Sequence, residues 1–187
     1  MRPSLRALVF LLALLAWGGA AHAEGVVVDK SEIRFISKQL GVNVEGRFRK
    51  WDANVVFLRN NPAKSKADFD VELASIDLAS DASEDEAKGP QWFDTARFPH
   101  ARFASTSIRN VGGDKYEVTG ALSLKGITRN VVVPIVVTRD AAGESVLEGS
   151  FVVKRLDYGI GTGVWGDTET VTDDVVVRVR LVLKSTA

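Results

Sequence analysis

The stretch "KYEVTGALSLKG", residues 115–126, alternates apolar and polar side chains with a period of two. Successive side chains of a β-strand point to opposite faces, so this pattern predicts a strand with one buried and one solvated face. The positions predicted to share the buried face are Tyr116, Val118, Gly120, Leu122 and Leu124.

The same alternation recurs along the chain. "ADFDVEL" (67–73) and "DVVVRVRLVLK" (174–184) repeat it, and further strands are predicted at 32–39, 42–50, 52–59, 101–109, 129–139 and 146–154. "VVVPIVV" (131–137) is apolar on both faces, which suggests a covered outer side. Pro134 within it predicts an edge position or a bulge, because proline cannot donate a ladder hydrogen bond.

One segment, "SDASEDEAKGPQWFDTARFPHARF" (80–103), lacks the alternation. Ser83 with Glu86 fits a capping box, and Glu84 with Lys88 fits an i,i+4 ion pair. The dipeptide Gly89-Pro90 ends any helix soon afterwards. We therefore expect one short helical insertion and a long connection that carries Trp92, Phe93 and Phe98.

Eight or nine strands with short turns and one helix predict an all-β fold, either an antiparallel barrel or a sandwich. An eight-stranded barrel is either filled by its own side chains or able to hold one small ligand. Alternation alone leaves both interiors open.

The N-terminal stretch "MRPSLRALVFLLALLAWGGAAHAEG" has the features of a secretory signal peptide. Arg2 and Arg6 precede a short apolar run, and Ala21-His22-Ala23 is a small-x-small cleavage site. We expect residues 1–23 to be removed after Ala23 and residues 24–187 to form a single exported domain without a stable membrane anchor.

The composition narrows the chemistry. The chain has no cysteine, and its two histidines are His22 and His100, so no metal site is indicated and a cysteine nucleophile is impossible. Removal of Arg2 and Arg6 leaves 22 basic and 24 acidic side chains, and this balance argues against a nucleic-acid partner. No cofactor is expected.

The stretch "GIGTGVWG" (159–166) contains the string G-x-G-x-x-G at Gly161, Gly163 and Gly166. A dinucleotide loop needs a helix after the glycines, whereas a strand is predicted here. These glycines are instead expected in a wide turn or bulged strand, with Trp165 packed onto one end of the barrel.

Four stretches carry a resemblance to a known family: "FISKQLGVNVEGRFRKWDANVVF", "WFDTARFPHARFASTSI", "YEVTGALSLKGITRNVVVPIVV" and "FVVKRLDYGIGTGVWGDTETVTDDVVVRVRL". Their order, spanning nearly all of residues 26–184, resembles the YceI-like family of exported lipid- and polyisoprenoid-binding proteins. The resemblance implies an eight-stranded antiparallel lipocalin-like barrel, an apolar tunnel for a long isoprenoid or amphiphilic chain, and a homodimer in several members.

Matched positions and inner-face patterns supply the candidate ligand-binding residues. Phe93, Phe98 and Phe103 are expected near the barrel mouth, and Leu122 and Leu124 on a wall strand. The full candidate set is Phe35, Phe48, Phe69, Val71, Trp92, Phe93, Phe98, Phe103, Leu122, Leu124, Phe151 and Trp165. Arg97, His100 and Arg102 are candidates to orient a polar head group.

The expected function is a non-catalytic periplasmic carrier or sequestering protein for an isoprenoid or another long-chain amphiphile. One alternative is a filled barrel that acts as a stress-related interaction module. The other is an enzyme for a small amphiphile that uses Asp94 or Asp157 as its carboxylate.

Overall fold

The computed structural model describes residues 25–184, so the predicted signal peptide lies outside the described residues. The described chain is dominated by antiparallel strands and has a single α-helix. The strands are β1 (Glu32–Gln39), β2 (Val42–Phe48), β3 (Trp51–Val56), β4 (Lys66–Glu72), β5 (Ile76–Asp77), β6 (His100–Gly112), β7 (Lys115–Leu124), β8 (Ile127–Arg139), β9 (Ser145–Lys154) and β10 (Asp174–Leu183).

All ten strands form one sheet in the order β3-β4-β6-β7-β8-β9-β10-β1-β2-β5. The two ends of this order are joined through the chain, because β3 follows β2 after two residues and β5 follows β4 after three. Backbone hydrogen bonds cross the junction, from Arg49 N to Ser75 O and from Glu72 N to Lys50 O. The sheet therefore curls until its ends meet, which confirms the predicted all-β antiparallel barrel class.

The strand count is ten rather than the predicted eight. Alternation already predicts separate strands at 42–50 and 52–59, which correspond to β2 and β3. The short strand β5, which follows the 3-10 turn Leu73–Ser75, is not predicted by the sequence. If β2 with β3 and β4 with β5 are each taken as one bent strand, eight strands surround the interior. Pro134 lies within β8, at the point where its pairing with β9 ends.

Helix α1 (Asp81–Lys88) is the predicted helical insertion, but it begins earlier than the sequence suggested. The N-cap is Ser80, whose Oγ accepts a hydrogen bond from Ser83 N at 3.2 Å. The predicted capping box from Ser83 to Glu86 is therefore wrong, since Ser83 lies inside the first turn. The predicted i,i+4 pair is present, with Lys88 Nζ 3.8 Å from a Glu84 carboxylate oxygen.

The two ends of the barrel differ. We call the end with the β6–β7 and β8–β9 hairpins the base, and the opposite end, with α1, the β7–β8 turn and the 155–173 loop, the mouth. The base is filled by buried side chains, including an edge-to-face pair of Phe57 and Tyr116 with ring centroids 5.1 Å apart. No helix within residues 25–184 has the length and apolarity needed to cross a membrane.

Candidate ligand-binding site

An apolar cavity of about 140 Å³ lies inside the barrel, between the filled base and the mouth. The cavity wall is built mainly from inward positions of eight strands, which the period-two alternation of each strand places on one face. Lys66 is the one charged residue among the residues that line it. A cavity with so little polarity can bind through apolar contact and shape, not through ion pairing.

The aromatic side chains around the cavity are only partly buried. Phe69, Phe103 and Phe151 point inward and line the cavity, yet each keeps intermediate exposure, as do Val177 and Val179. Since these side chains line the cavity, part of their exposed surface borders the interior space. The middle of the barrel is therefore loosely packed compared with its base, where Tyr116 is 2% exposed.

Two inward glycines create room for aromatic rings. A Cβ on Gly120 of β7 would stand 2.4 Å from Phe103 Cζ, so the Phe103 ring occupies the place of the missing side chain. Gly46 of β2 has the same relation to Phe35, whose Cζ would lie 2.3 Å from an added Cβ. These glycines leave room for the edges of the two rings beside the wall strands.

Above the cavity, three phenylalanines form a chain of ring contacts toward the mouth. The Phe35 and Phe48 centroids are 5.6 Å apart, and Phe48 meets Phe93 nearly edge-on at 6.1 Å. Leu124 and Phe93 pack against the buried residues at both sides of this chain. Such ring pairs are stabilised by burial and by quadrupole geometry, but each ring can rotate or shift without breaking a hydrogen bond.

Arg155 organises the loop that forms one side of the mouth. The residue is 2% exposed, and its guanidinium lies 5.8 Å from the Trp92 ring centroid. Burial lowers the pKa of Arg155, while the charge of Asp173 opposes that shift. Its guanidinium donates five hydrogen bonds of 2.6–3.0 Å to the backbone carbonyls of Ile160, Gly161, Trp165, Val171 and Thr172.

The glycines of "GIGTGVWG" belong to this loop. Gly159, Gly161 and Gly163 have φ values of +64°, +68° and +63°, a region that disfavours residues with a Cβ. A Cβ on Gly161 would also stand 2.4 Å from Arg155 Nη1. A short 3-10 turn and then β10 follow, with no α-helix, so the predicted wide turn is confirmed and the dinucleotide loop is excluded.

Lys125 ties two sides of the mouth together. Its Nζ donates to Pro90 O at 2.9 Å and to Gly159 O at 2.7 Å, linking the β7–β8 turn to both mouth loops. Burial lowers the pKa of Lys125, against the smaller opposing effect of Asp94.

The predicted site residues fall into three groups. Five of them line the cavity: Phe69, Val71, Phe103, Leu122 and Phe151. Phe35, Phe48, Phe93 and Leu124 lie above it in the mouth. Trp92, Trp165 and Phe98 lie outside the cavity lining.

The last group has its own contacts. Trp92 and Trp165 pack together with centroids 5.7 Å apart, and Trp165 Nε1 donates to a Glu86 carboxylate at 2.8 Å. Phe98 lies against the β7–β8 turn, where a Cβ on Gly126 would stand 2.8 Å from its ring. The prediction omitted much of the aliphatic lining, notably Ile135, Val177, Val179 and Leu181, although the alternation of "DVVVRVRLVL" already placed the last three on one face.

The polar candidates lie away from the cavity lining. His100 Nδ1 contacts Asp70, and Arg102 Nε donates to the same carboxylate at 2.8 Å. Partial burial opposes ionisation of Asp70, but these two hydrogen bonds outweigh it and hold the pKa of Asp70 below its usual value. Arg97 lies over the Phe98 ring, with 5.2 Å between Cζ and the centroid.

The two carboxylates considered for catalysis are also outside the cavity lining. Asp94 is buried, and its carboxylate accepts from Arg97 Nη1 at 3.5 Å. Asp157 is exposed and lies 3.8 Å from Arg129 Nη2. Within residues 25–184, no cluster of three or more histidine, aspartate or glutamate side chains is arranged to hold a metal ion.

A small antiparallel barrel with an apolar interior is an architecture suited to holding a hydrophobic molecule. Residues 26–183 match the family described as the YceI-like domain, and the chain belongs to this family. This match confirms the family resemblance that the sequence motifs indicate.

Individual relatives agree with this assignment. A UPF0312 protein of Azotobacter vinelandii is 30% identical over 86% of this chain and 88% of its own length. The crystal structure of Burkholderia cenocepacia BcnA superposes with a TM-score of 0.82 and 37% identity, over 86% of this chain and all of BcnA. A polyisoprenoid-binding domain of Saccharophagus degradans shares the fold, with a TM-score of 0.68 and 16% identity, over 86% of this chain and 97% of that domain.

Proposed function

We propose that this protein is a non-catalytic periplasmic binding protein that holds the chain of an isoprenoid or another lipid-like amphiphile inside the barrel. The observation that carries the proposal is the cavity, which is apolar and is bordered by inward phenylalanines that are not fully packed. Family membership and the polyisoprenoid-binding fold relative point the same way.

The size of the cavity defines what it accepts without rearrangement. Cavities of about 150 Å³ with aliphatic and aromatic walls stay dry in other proteins and bind benzene. The 140 Å³ cavity therefore fits about one ring or one isoprene unit. A longer chain requires Phe35, Phe48 and Phe93 to turn aside and extend the space toward the mouth.

The free energy of transfer favours replacing these ring contacts with contacts to a ligand chain. Transfer of about 300 Å² of apolar ligand surface from water is worth about 7 kcal/mol before the costs of association. Moving a phenylalanine ring from one apolar contact to another costs much less, because no polar group is exposed. Selection then follows the width and length of the ligand, with little contribution from its head group.

The test uses a matched pair of variants on β10. Val177 lines the cavity, whereas the adjacent Val176 points to the opposite face, where it pairs with Val152 and Ile36. The full chain and both variants, Val177→Phe and Val176→Phe, are expressed in a Gram-negative host, purified, extracted with organic solvent and analysed by mass spectrometry. We expect a co-purifying lipid with the wild type and V176F, and much less with V177F.

Absence of an extractable lipid, together with no binding of a neutral hydrophobic fluorophore, would contradict the proposal. Equal lipid content in both variants would place the ligand elsewhere. Intact mass and cell fractionation test the location: we expect a periplasmic product that begins at Glu24, and an uncleaved cytoplasmic product would contradict export.

A further inference from the structure

The barrel wall has an interruption between β8 and β9. β8 pairs with β7 from Ile127 to Val136, but it pairs with β9 only from Ile135 to Arg139. Residues 127–134 therefore have a ladder partner on one side only, and residues 150–154 pair with β10 alone. We call these two facing, mutually unpaired edges the seam.

The sequence explains why pairing stops there. Pro134 is the first residue of β8 beyond the ladder, and it has no N–H to donate to β9. Gly149 forms the last pair, opposite Ile135, and a Cβ there would stand 3.2 Å from Pro134 O and 2.9 Å from Ile135 Cγ2. The two strands thus approach closely at Gly149, and their ladder ends there.

Apolar side chains border the seam on its outer surface. Val132 on β8 is 51% exposed and Val152 on β9 is 53% exposed, and they would face each other if the register of the ladder continued. Ile127 and Leu156 add exposed apolar surface nearer the mouth, and Val136 adds it nearer the base. Large exposed aliphatic side chains on both borders of the seam mark a surface suited to an apolar partner.

The seam also adjoins the cavity. Val133 and Ile135 on β8, with Gly149 and Phe151 on β9, line the cavity from the inside. The apolar surface outside and the apolar lining inside are therefore separated only by the two unpaired strand edges. The outward valines of "VVVPIVV", Val132 and Val136, are exposed, so the covered outer side that the sequence suggests is not found among the described residues.

At the mouth end of the seam, side-chain hydrogen bonds link its two edges. Arg129 Nε donates to Asp157 O at 3.0 Å, and Lys125 Nζ donates to Gly159 O at 2.7 Å. Widening the wall between paired strands breaks ladder hydrogen bonds, whereas widening the seam requires no backbone bond between β8 and β9 to break. The seam can consequently separate at a lower cost than a wall segment of the same length that is closed by a ladder.

We propose that the seam is the lateral route by which the chain of a lipid-like ligand passes from outside the barrel into the cavity. The inference rests on the proposed function and adds the path that the ligand takes. The tail slides between Val132 and Val152, reaches Phe151 and Ile135, and never exposes its full length to water.

The test uses the absence of cysteine in the chain. A Val132→Cys, Val152→Cys double variant is closed with a short bismaleimide, and a Val136→Cys, Glu148→Cys double variant is cross-linked as the control. Val136 and Glu148 are a directly paired position of the same two strands, where the wall is already closed. Uptake of the neutral fluorescent probe phenylnaphthylamine by lipid-stripped protein is followed by stopped flow.

Closing the seam should slow uptake about tenfold or more, with the bound amount at equilibrium unchanged, as for other gated sites. The control pair should bind at the wild-type rate. Equal rates in the two cross-linked proteins would overturn the lateral route while leaving the proposed function intact. Failure of the wild type and all uncross-linked variants to bind the probe would overturn both.

Discussion

The ring of Phe103 lies where the side chain of residue 120 would be, since a Cβ on Gly120 would stand 2.4 Å from Phe103 Cζ and 2.6 Å from the backbone oxygen of Ala104. The ring can turn away, but the backbone oxygen cannot. Phe103 also meets Phe69 with centroids 6.2 Å apart, so a displaced Phe103 disturbs the cavity wall.

We therefore expect Gly120→Ala to destabilise the protein by about 1–3 kcal/mol, the usual cost of overpacking. Denaturant unfolding measures this change. Gly25→Ala is the control, because nothing lies within 4 Å of a Cβ at that position. An unchanged unfolding midpoint for G120A would contradict this prediction, because β6 and β7 would then accommodate the added methyl group without loss of stability.

Asp77 provides a prediction for acid stability. Its carboxylate accepts from Arg47 Nε at 2.6 Å and Arg49 Nη2 at 2.7 Å, and these hydrogen bonds hold the pKa of Asp77 below its usual value. A carboxyl with a depressed native pKa stabilises the fold above its unfolded pKa of about 3.8, and this contribution is lost as the pH falls through the native pKa.

Asp77→Asn should consequently lower the free energy of unfolding at pH 7, and the difference from the wild type should shrink as the pH falls below about 3.8. Urea unfolding at several pH values checks this. Asp68→Asn, at an exposed position of β4, is the control. A difference that persists at the lowest pH would contradict the assigned role of the charge.

We expect lysine at position 155 to destabilise the fold. A lysine keeps the charge but cannot reach five carbonyl oxygens with a planar fork, so several buried carbonyls lose their donors. Arg155→Lys should cost about 3 kcal/mol or more of stability. Arg139→Lys, at an exposed position, should change little; similar unfolding curves for R155K and R139K would refute this role.

We expect Lys125 to stabilise the mouth loops but not the hairpins of the base. Lys125→Met removes two hydrogen bonds to carbonyls, worth about 1–3 kcal/mol of local stability. Hydrogen exchange should become faster in residues 89–94 and 157–161 and stay unchanged in the base hairpin around 111–115. The exposed Lys115→Met is the matched control, and equal exchange at the mouth in both variants would disprove the tie.

Much of the wall could be predicted from the sequence because a strand with one buried face has a period of two, and the structure reproduces the predicted strand at Glu32–Gln39. The inward face of β10 was equally predictable. The cavity volume was not, because it depends on where rings such as Phe103 and Phe48 settle against glycines on other strands.

Other features depend on distant contacts that no local pattern encodes. Arginine is rarely buried, so nothing around Arg155 indicated that it would be enclosed by the 160–172 loop. Pro134 predicts an edge or a bulge, but the sequence does not specify that β8 keeps β7 as a neighbour and loses β9 there. The sequence does not distinguish the N-cap at Ser80 from Ser83, because both serines precede residues typical of a helix.

The filled base has a consequence for the size of a guest. Phe57, Tyr116 and Leu183 make a solid floor, so a molecule that slips in can advance only until its tip touches them. Because the base of the barrel is closed, the depth of the interior limits the length of chain that can be enclosed. Short tails would then lie entirely inside the barrel, whereas a longer tail would leave outside whatever length exceeds the depth of the interior.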